Sequence, residues 1–170
     1  MRIRVRGRWW RITRPGTGAL FYSRDAFDAR WQTGAVVRGL YLADCEDTAW
    51  AEWLRATAEQ GVPPASRLPR AMCLLAVNLD GIADLTGPRS LTRLGLGPMR
   101  PTQAQWPDTQ PVGERLWRDG ATGILSLSAA HEGHTVLTVF RTGPDMPGVV
   151  EANPVTVHDV IPRIPTGLRT

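Results

Sequence analysis

Val36-Val37-Arg38-Gly39-Leu40-Tyr41-Leu42-Ala43, followed at once by Asp44-Cys45-Glu46-Asp47-Thr48-Ala49-Trp50-Ala51-Glu52-Trp53-Leu54-Arg55-Ala56-Thr57, is where the hydrophobic period of this chain changes. The first eight residues are apolar and β-prone, which predicts a buried strand. In the second stretch Trp50, Trp53, Leu54 and Thr57 recur at helical spacing and form one stripe. Asp44 is placed to cap that helix, with Glu46 and Asp47 in its first turn. Gly61, just after Gln60, is its natural stop. Glu52 lies off the apolar stripe, so packing alone does not explain it.

Working outward, Arg2 to Thr13 alternates Arg2, Arg4, Arg6 and Arg8 with Ile3, Val5 and Gly7, the period of a strand. Its arginines share one face and read as a solvated, protected edge. Trp9, Trp10 and Ile12 then carry the strand into the core with Arg11 among them. Pro15 to Gly18 is a turn and residues 25–34 are irregular. Ala71 to Leu79 predicts a buried strand and Ile82 to Leu85 a separate short one. Ser90 to Leu94 fits one or two helical turns, and 100–107 is loop. Thr109 to Asp119 predicts a helix with Val112, Leu116 and Trp117 inward and Gly120 at its end. Thr122 to Ala129 and Thr135 to Phe140 predict a hairpin joined through His131-Glu132-Gly133-His134. Strands and helices mix without a regular βαβ alternation, which points to an α+β fold in one domain over 1–170, with the motif-bearing stretch at about 9–140 and a proline-rich segment at 141–170.

Composition bounds the partners. The chain has 170 residues, 42% hydrophobic and 21% charged, ordinary for a soluble globular protein. No apolar run approaches the roughly 18–20 residues needed to cross a bilayer, and no apolar region follows the basic start, so a cytoplasmic protein without membrane contact is expected. All 20 basic residues are arginines, and the net charge is +4. Arginine forks bind phosphate and carboxylate in a bidentate way. The Arg2 to Arg14 strand lacks stacking-platform spacing and a helix-turn-helix pattern, so direct nucleic-acid binding is not expected. Cys45 and Cys73 read as two small buried or half-buried thiols. His131 and His134 form a loose pair, and no cysteine or carboxylate at suitable spacing in the sequence completes a ligand set, so no metal is expected. His158 reads as surface.

Arg11, Arg30, Tyr41, Glu52 and Ser128 carry the residue types that a site on a pyridine dinucleotide needs. Arginines hold the pyrophosphate, an aromatic such as Trp31 or Tyr41 walls the nicotinamide, and a carboxylate stabilises an oxocarbenium-like state while a hydroxyl orients it or the ribose. Each has a plainer reading. Glu52 alone is a solvated helix residue, Arg11 an arginine in a structural ion pair, Arg30 a loop-ordering residue, Tyr41 a core aromatic and Ser128 a strand serine.

The order of these residues resembles the RES-domain family, named for an arginine, a glutamate and a serine. Trp10-Arg11-Ile12 is similar to its early Trp-Arg-hydrophobic strand. Ala29-Arg30-Trp31-Gln32-Thr33-Gly34 is similar to Gly-Arg-Trp-Asn-x-x-Gly, Leu40 to Ala43 to its Leu-Tyr-Leu-Ala strand, and Thr48-Ala49-Trp50-Ala51-Glu52 to Thr-Ala-x-x-Glu. Gly123 to His134 aligns with Gly-x-Leu-x-x-Ser-x-x-His-x-Gly-Gly, with Ser128 in the serine position and Phe140 closing the next strand. The chain departs from the pattern at Ala29, Gln32, Ile12, Ser126-Leu127 and His134, the last standing where the family has its second glycine.

The resemblance implies an ADP-ribosyltransferase-like fold and a toxin of a bacterial toxin–antitoxin pair that consumes NAD as substrate, by hydrolysis or phosphorolysis. It implies catalytic roles for Glu52, Ser128 and Arg11, and dinucleotide contacts from Arg11, Arg30, Trp31, Tyr41 and Ser128. It further implies an antitoxin partner that carries a helix-turn-helix part and blocks the NAD pocket, in a complex that can be oligomeric. ADP-ribosyl transfer to a protein target, or a degenerate NAD-binding module without turnover, remain the alternatives.

Overall fold

The computed structural model describes residues 1–23 and 25–169. Its elements are β1 (Arg2–Thr13), β2 (Arg38–Ala43), α1 (Glu46–Glu59), β3 (Arg70–Leu85), α2 (Pro88–Arg93), α3 (Trp106–Arg118), β4 (Gly123–Leu127), β5 (Thr135–Arg141) and β6 (Val149–His158), with 3-10 turns at Pro64–Arg67 and Gln103–Gln105. This is the α+β class expected. The last position of the proline-rich segment, Thr170, lies outside the described residues.

The strands run in the order β1-β2-β5-β4-β3-β6, and β1 also pairs with β3. The first five therefore close on themselves, and β6 adds to the outer edge of β3. Residues 71–79 and 82–83 of β3 pair with β1, and 70–77 with β6, both antiparallel. Beyond Gly81 the same strand runs parallel to β4, Ile82 opposite Gly123 and Leu85 opposite Ser126. The two halves, Ala71 to Leu79 and Ile82 to Leu85, were expected as separate pieces. The structure makes them one, because a positive φ of 79° at Gly81 lets the chain bend and exchange neighbours without stopping. The expected hairpin forms: β4 and β5 pair from Gly123–Val139 to Leu127–Thr135.

Three apolar clusters fill the space. One lies inside the strand ring, with Val5, Trp9, Leu40, Leu42, Leu75 and Leu137. A second, around Trp31, Leu85, Val112 and Ile124, lies beneath α2 and α3. The third glues α1 to the strands through Ala43, Ala49, Trp50 and Met72, with Trp10, Ile12 and Trp53 partly buried beside them. Each large aliphatic side chain so enclosed contributes roughly 1.5–3 kcal/mol.

The ends of α1 depart from expectation on one side. Gly61, at φ +65°, ends the helix as predicted, its N–H on the Ala58 carbonyl and that of Val62 on Thr57. At the other end Cys45, not Asp44, occupies the cap position and makes no side-chain capping bond. The Asp44 carboxylate is taken instead by Thr48 Oγ1 (2.7 Å) and the Thr135 N–H (2.8 Å), which staples the start of α1 to β5.

Candidate active site

Glu52 sits where α1 faces the loop leaving β4. Its Oε1 accepts from the Ser128 hydroxyl (2.7 Å) and from the Ala129 and Ala130 N–H groups (3.2 and 3.4 Å). Arg55, one turn on, donates Nε to Oε2 (3.3 Å) and Nη1 to Glu59 (2.6 Å). Ser128 is buried and its oxygen also accepts from the Ala130 and His131 N–H groups (3.2 and 2.9 Å). That hydroxyl has one proton, and Glu52 receives it. In this geometry Ser128 positions the carboxylate. The loop beneath is closed by Ser128 N–H on His134 O (2.8 Å) and clamped by the chain's last residues, through Arg169 N–H on Ala130 O (2.7 Å) and Glu132 N–H on Gly167 O (3.2 Å).

A second loop, residues 28–34, approaches from the other side. The Tyr41 hydroxyl accepts the Trp31 N–H (3.1 Å) and donates to Gln32 Oε1 (2.7 Å). Burial pushes the Tyr41 phenol up, against the Trp31 N–H that favours its anion, so it stays a neutral donor. α3 holds this loop from outside. Thr109 bonds the Arg30 carbonyl, Gln110 the Ala29 carbonyl (3.0 Å), and Glu114 Oε1 accepts both the N–H and the hydroxyl of Thr33 (2.9 and 2.6 Å). The Glu114 side chain is only 12% exposed. Glu114→Ala strands those two donors and is expected to cost roughly 1–3 kcal/mol, read as an earlier urea-unfolding midpoint. An unchanged midpoint would show that the loop does not depend on it.

Arg30 emerges from this loop with its guanidinium on Gln105 Oε1 (2.9 Å) and the Arg100 carbonyl (2.8 Å). Burial holds it below the ordinary arginine range, the Arg55 charge adds to this, and Glu52 opposes it. Arg30, Tyr41, Glu52, Arg55, Trp106 and Ala129 surround a cavity of about 240 Å³. A neighbouring one of about 200 Å³ shares Tyr41, Glu52 and Val136 with it and reaches Trp10 and Trp53. A third, of about 520 Å³, meets the first at Leu127 and includes Ser128, Glu132, Met99 and Arg169.

The structure thus brings Arg30, Tyr41, Glu52 and Ser128 together. Arg11 borders the second cavity, but its guanidinium is spent on the Ala19 carbonyl. Burial, then the nearby Arg141, lowers it to about 10, opposed by Cys73 and after it by Glu151 rather than by Glu52. The partner that a buried arginine requires is therefore a backbone carbonyl. Trp31 is fully buried in the second apolar cluster and lines the first cavity.

Two features escaped the sequence reading. Arg55 is the second guanidinium at the first cavity, and its only signal was the Glu52, Arg55, Glu59 spacing along one helix face. The His131–His134 pair, expected to lack a further ligand, has Cys45 and Asp44 beside it: Cys45 Sγ lies 3.7 Å and Asp44 Oδ2 3.2 Å from His134 Nδ1.

The RES domain family model matches residues 8–160 of the chain. Among solved structures, a chain of the crystal structure of the M. tuberculosis MbcT–MbcA toxin–antitoxin complex superposes with a TM-score of 0.69 at 21% identity, covering 89% of this chain and 86% of that one. A search of curated proteins gave no match. At that identity the superposition establishes a shared fold.

Proposed function

This chain belongs to the RES domain family, and from that premise we propose that it cleaves the bond between nicotinamide and ribose in NAD, with water or phosphate as acceptor. The observation that carries this reading is the state of Glu52. Its carboxylate is fixed by three donors on Oε1 and by Arg55 on Oε2, yet it faces a cavity that also presents Arg30 and Tyr41. A carboxylate held this way needs no reorganisation to meet developing positive charge.

The donor set around the cavity fits the dinucleotide. Arg30 and Arg55 offer two half-buried guanidinium forks for the pyrophosphate; Arg30 now bonds an amide and a backbone carbonyl, and Arg55 the Glu52 and Glu59 carboxylates. The Trp106 indole N–H is buried without a hydrogen-bond partner among the described residues and is suited to a ligand acceptor such as the carboxamide oxygen. As the glycosidic bond lengthens, charge builds on the ribose C1–O4 unit and Glu52 stabilises it. Nicotinamide leaves as the neutral base, and the acceptor adds to C1 and loses its proton towards Glu52. Ser128 and the Ala129 and Ala130 N–H groups keep Glu52 in place throughout.

The acceptor and the biological setting follow the same premise. The chain acts as the toxin of a type II pair in the cytoplasm, restrained by an antitoxin with a helix-turn-helix part that covers the cavity mouth. Among the described residues no helix is long and apolar enough to cross a membrane. The test is incubation of the purified chain with NAD, with and without phosphate, following free nicotinamide and the ADP-ribose product. No release by the wild-type chain would sink the reading, and label retained on a protein band would redirect it to ADP-ribosyl transfer. Arg30→Leu is expected to raise KM for NAD about tenfold or more, the loss of one charge-assisted contact, with a smaller effect on kcat. An unchanged KM removes Arg30 from the phosphate site.

A further inference from the structure

We propose that Cys45, His131 and His134, with Asp44 as fourth ligand, form a binding site for one Zn²⁺-class ion at the N-terminal end of α1.

One ligand atom from each of Cys45, His131 and His134 lies within 4.8 Å of the others. Zinc bonds of about 2.0–2.3 Å in a tetrahedron set ligand atoms about 3.3–3.8 Å apart. The Cys45 Sγ to His134 Nδ1 distance of 3.7 Å already meets that spacing, and the widest gap needs to close by about 1 Å. The Asp44 carboxylate is in reach, 3.2 Å from His134 Nδ1. Thiolate and carboxylate together offset the two positive charges of the ion.

Hydrogen bonds around the cluster arrange its outer layer. His131 Nε2 lies 2.8 Å from the Thr166 carbonyl, which can only accept, so Nε2 donates there; Nδ1 is bonded to Thr48 Oγ1 (2.8 Å) and becomes a ligand when the ion displaces that hydroxyl. A ligating histidine that donates its other N–H to a carbonyl is the usual outer-shell arrangement at metal sites. Both Asp44 oxygens are engaged, Oδ1 by Thr48 Oγ1 (2.7 Å) and Oδ2 by the Thr135 N–H (2.8 Å), so Asp44 reaches the ion through the remaining lone pair of Oδ2. The two imidazoles stack at 3.9 Å and 8°, so one ring tilts out of the stack for both lone pairs to meet the ion. Cys45 occupies the helix cap with no capping bond, so its sulfur is not engaged by the helix backbone.

On binding, the Cys45 thiol gives its proton to solvent and His134 moves its proton from Nδ1 to Nε2, so both donors are free for the ion. The ion then links the helix that carries Glu52 to the loop that carries Ser128. The proposal is independent of NAD chemistry.

The purified, metal-free full chain is titrated with Zn²⁺ by calorimetry and with Co²⁺ by absorption. One ion per chain, a raised melting temperature and a thiolate-to-cobalt charge-transfer band are expected. Cys45→Ser and His134→Gly are each expected to weaken Zn²⁺ binding 100-fold or more, and Cys45→Ser to abolish the charge-transfer band. His158→Ala, at the far end of β6, binds like wild type. Should Cys45→Ser fail to fold, His134→Gly, which restores the family residue, decides. Failure of the wild-type chain to bind Zn²⁺ below about 10 µM, variants that bind as tightly as wild type, or equal loss in His158→Ala would each overturn the proposal.

Discussion

Glu52→Gln is expected to lower kcat/KM for nicotinamide release by roughly 10³-fold or more, with the fold intact. The substitution keeps an oxygen for Ser128, Ala129 and Ala130, so the loop at 128–134 retains its anchor. What disappears is the negative charge opposite the forming ribosyl cation. Removing one preorganised neutral donor at a charged transition state already costs about 10²–10³ in rate, and a full charge in a partly desolvated cavity is worth more. Arg55 loses its partner at 3.3 Å but keeps Glu59 at 2.6 Å, so no buried charge is stranded. Stability is therefore expected to change by no more than about 1 kcal/mol, the usual scale for a weak helical ion pair. The two readouts separate the roles. A variant that melts like wild type and releases no nicotinamide places Glu52 at the chemistry. A variant that retains a tenth or more of the wild-type rate removes it from there.

How much of this site was legible in the sequence depended on the range of each contact. The α1 helix and its Gly61 stop follow from local periodicity and from the backbone freedom of one residue, and both appear as read. Glu52 and Ser128 are separated by 76 positions, and they could be paired beforehand only through the ordered family motifs. Arg11 and Arg30 looked alike in sequence, each an arginine beside tryptophan. Their fates differ because Arg11 finds the Ala19 carbonyl close by, while Arg30 is carried by its loop towards Glu52 and Arg55. Cys45 is 89 positions from His134, and nothing local announces that β2 and β5 pair so as to set Ala43 opposite Val136 and bring the two together. The Asp80-Gly81 pair shows the opposite failure. It falls between two stretches expected as separate, and the pairing of β3 on both edges carries one strand through it.

Gly113→Ala is expected to destabilise the protein by about 3 kcal/mol or more, against the sign that helix propensity gives. In an exposed helix interior alanine improves on glycine by roughly 0.5–1 kcal/mol. Here a Cβ on Gly113 would sit 1.9 Å from the Trp31 carbonyl oxygen and 2.8 Å from its carbon. These are backbone atoms, so no rotamer change relieves the contact, and α3 must move outward by more than 1 Å to reach ordinary separation. That shift works against every bond by which α3 grips the loop at 28–34. The Glu114 contacts with Thr33, the Gln110 contact with Ala29 and the Thr109 contact with Arg30 all lengthen together. Overpacking of about 1–3 kcal/mol then adds to weakened hydrogen bonds of about 1 kcal/mol each, well beyond what propensity returns. Gly97, where an added Cβ meets nothing within 4 Å and φ is ordinary, is the control, and Gly97→Ala is expected to leave the unfolding midpoint near wild type. Because the same loop presents Arg30, any Gly113→Ala protein that folds should also show a raised KM for NAD. A urea midpoint at or above that of the wild-type chain would mean that the close approach of α3 to Trp31 does not hold Arg30 in place.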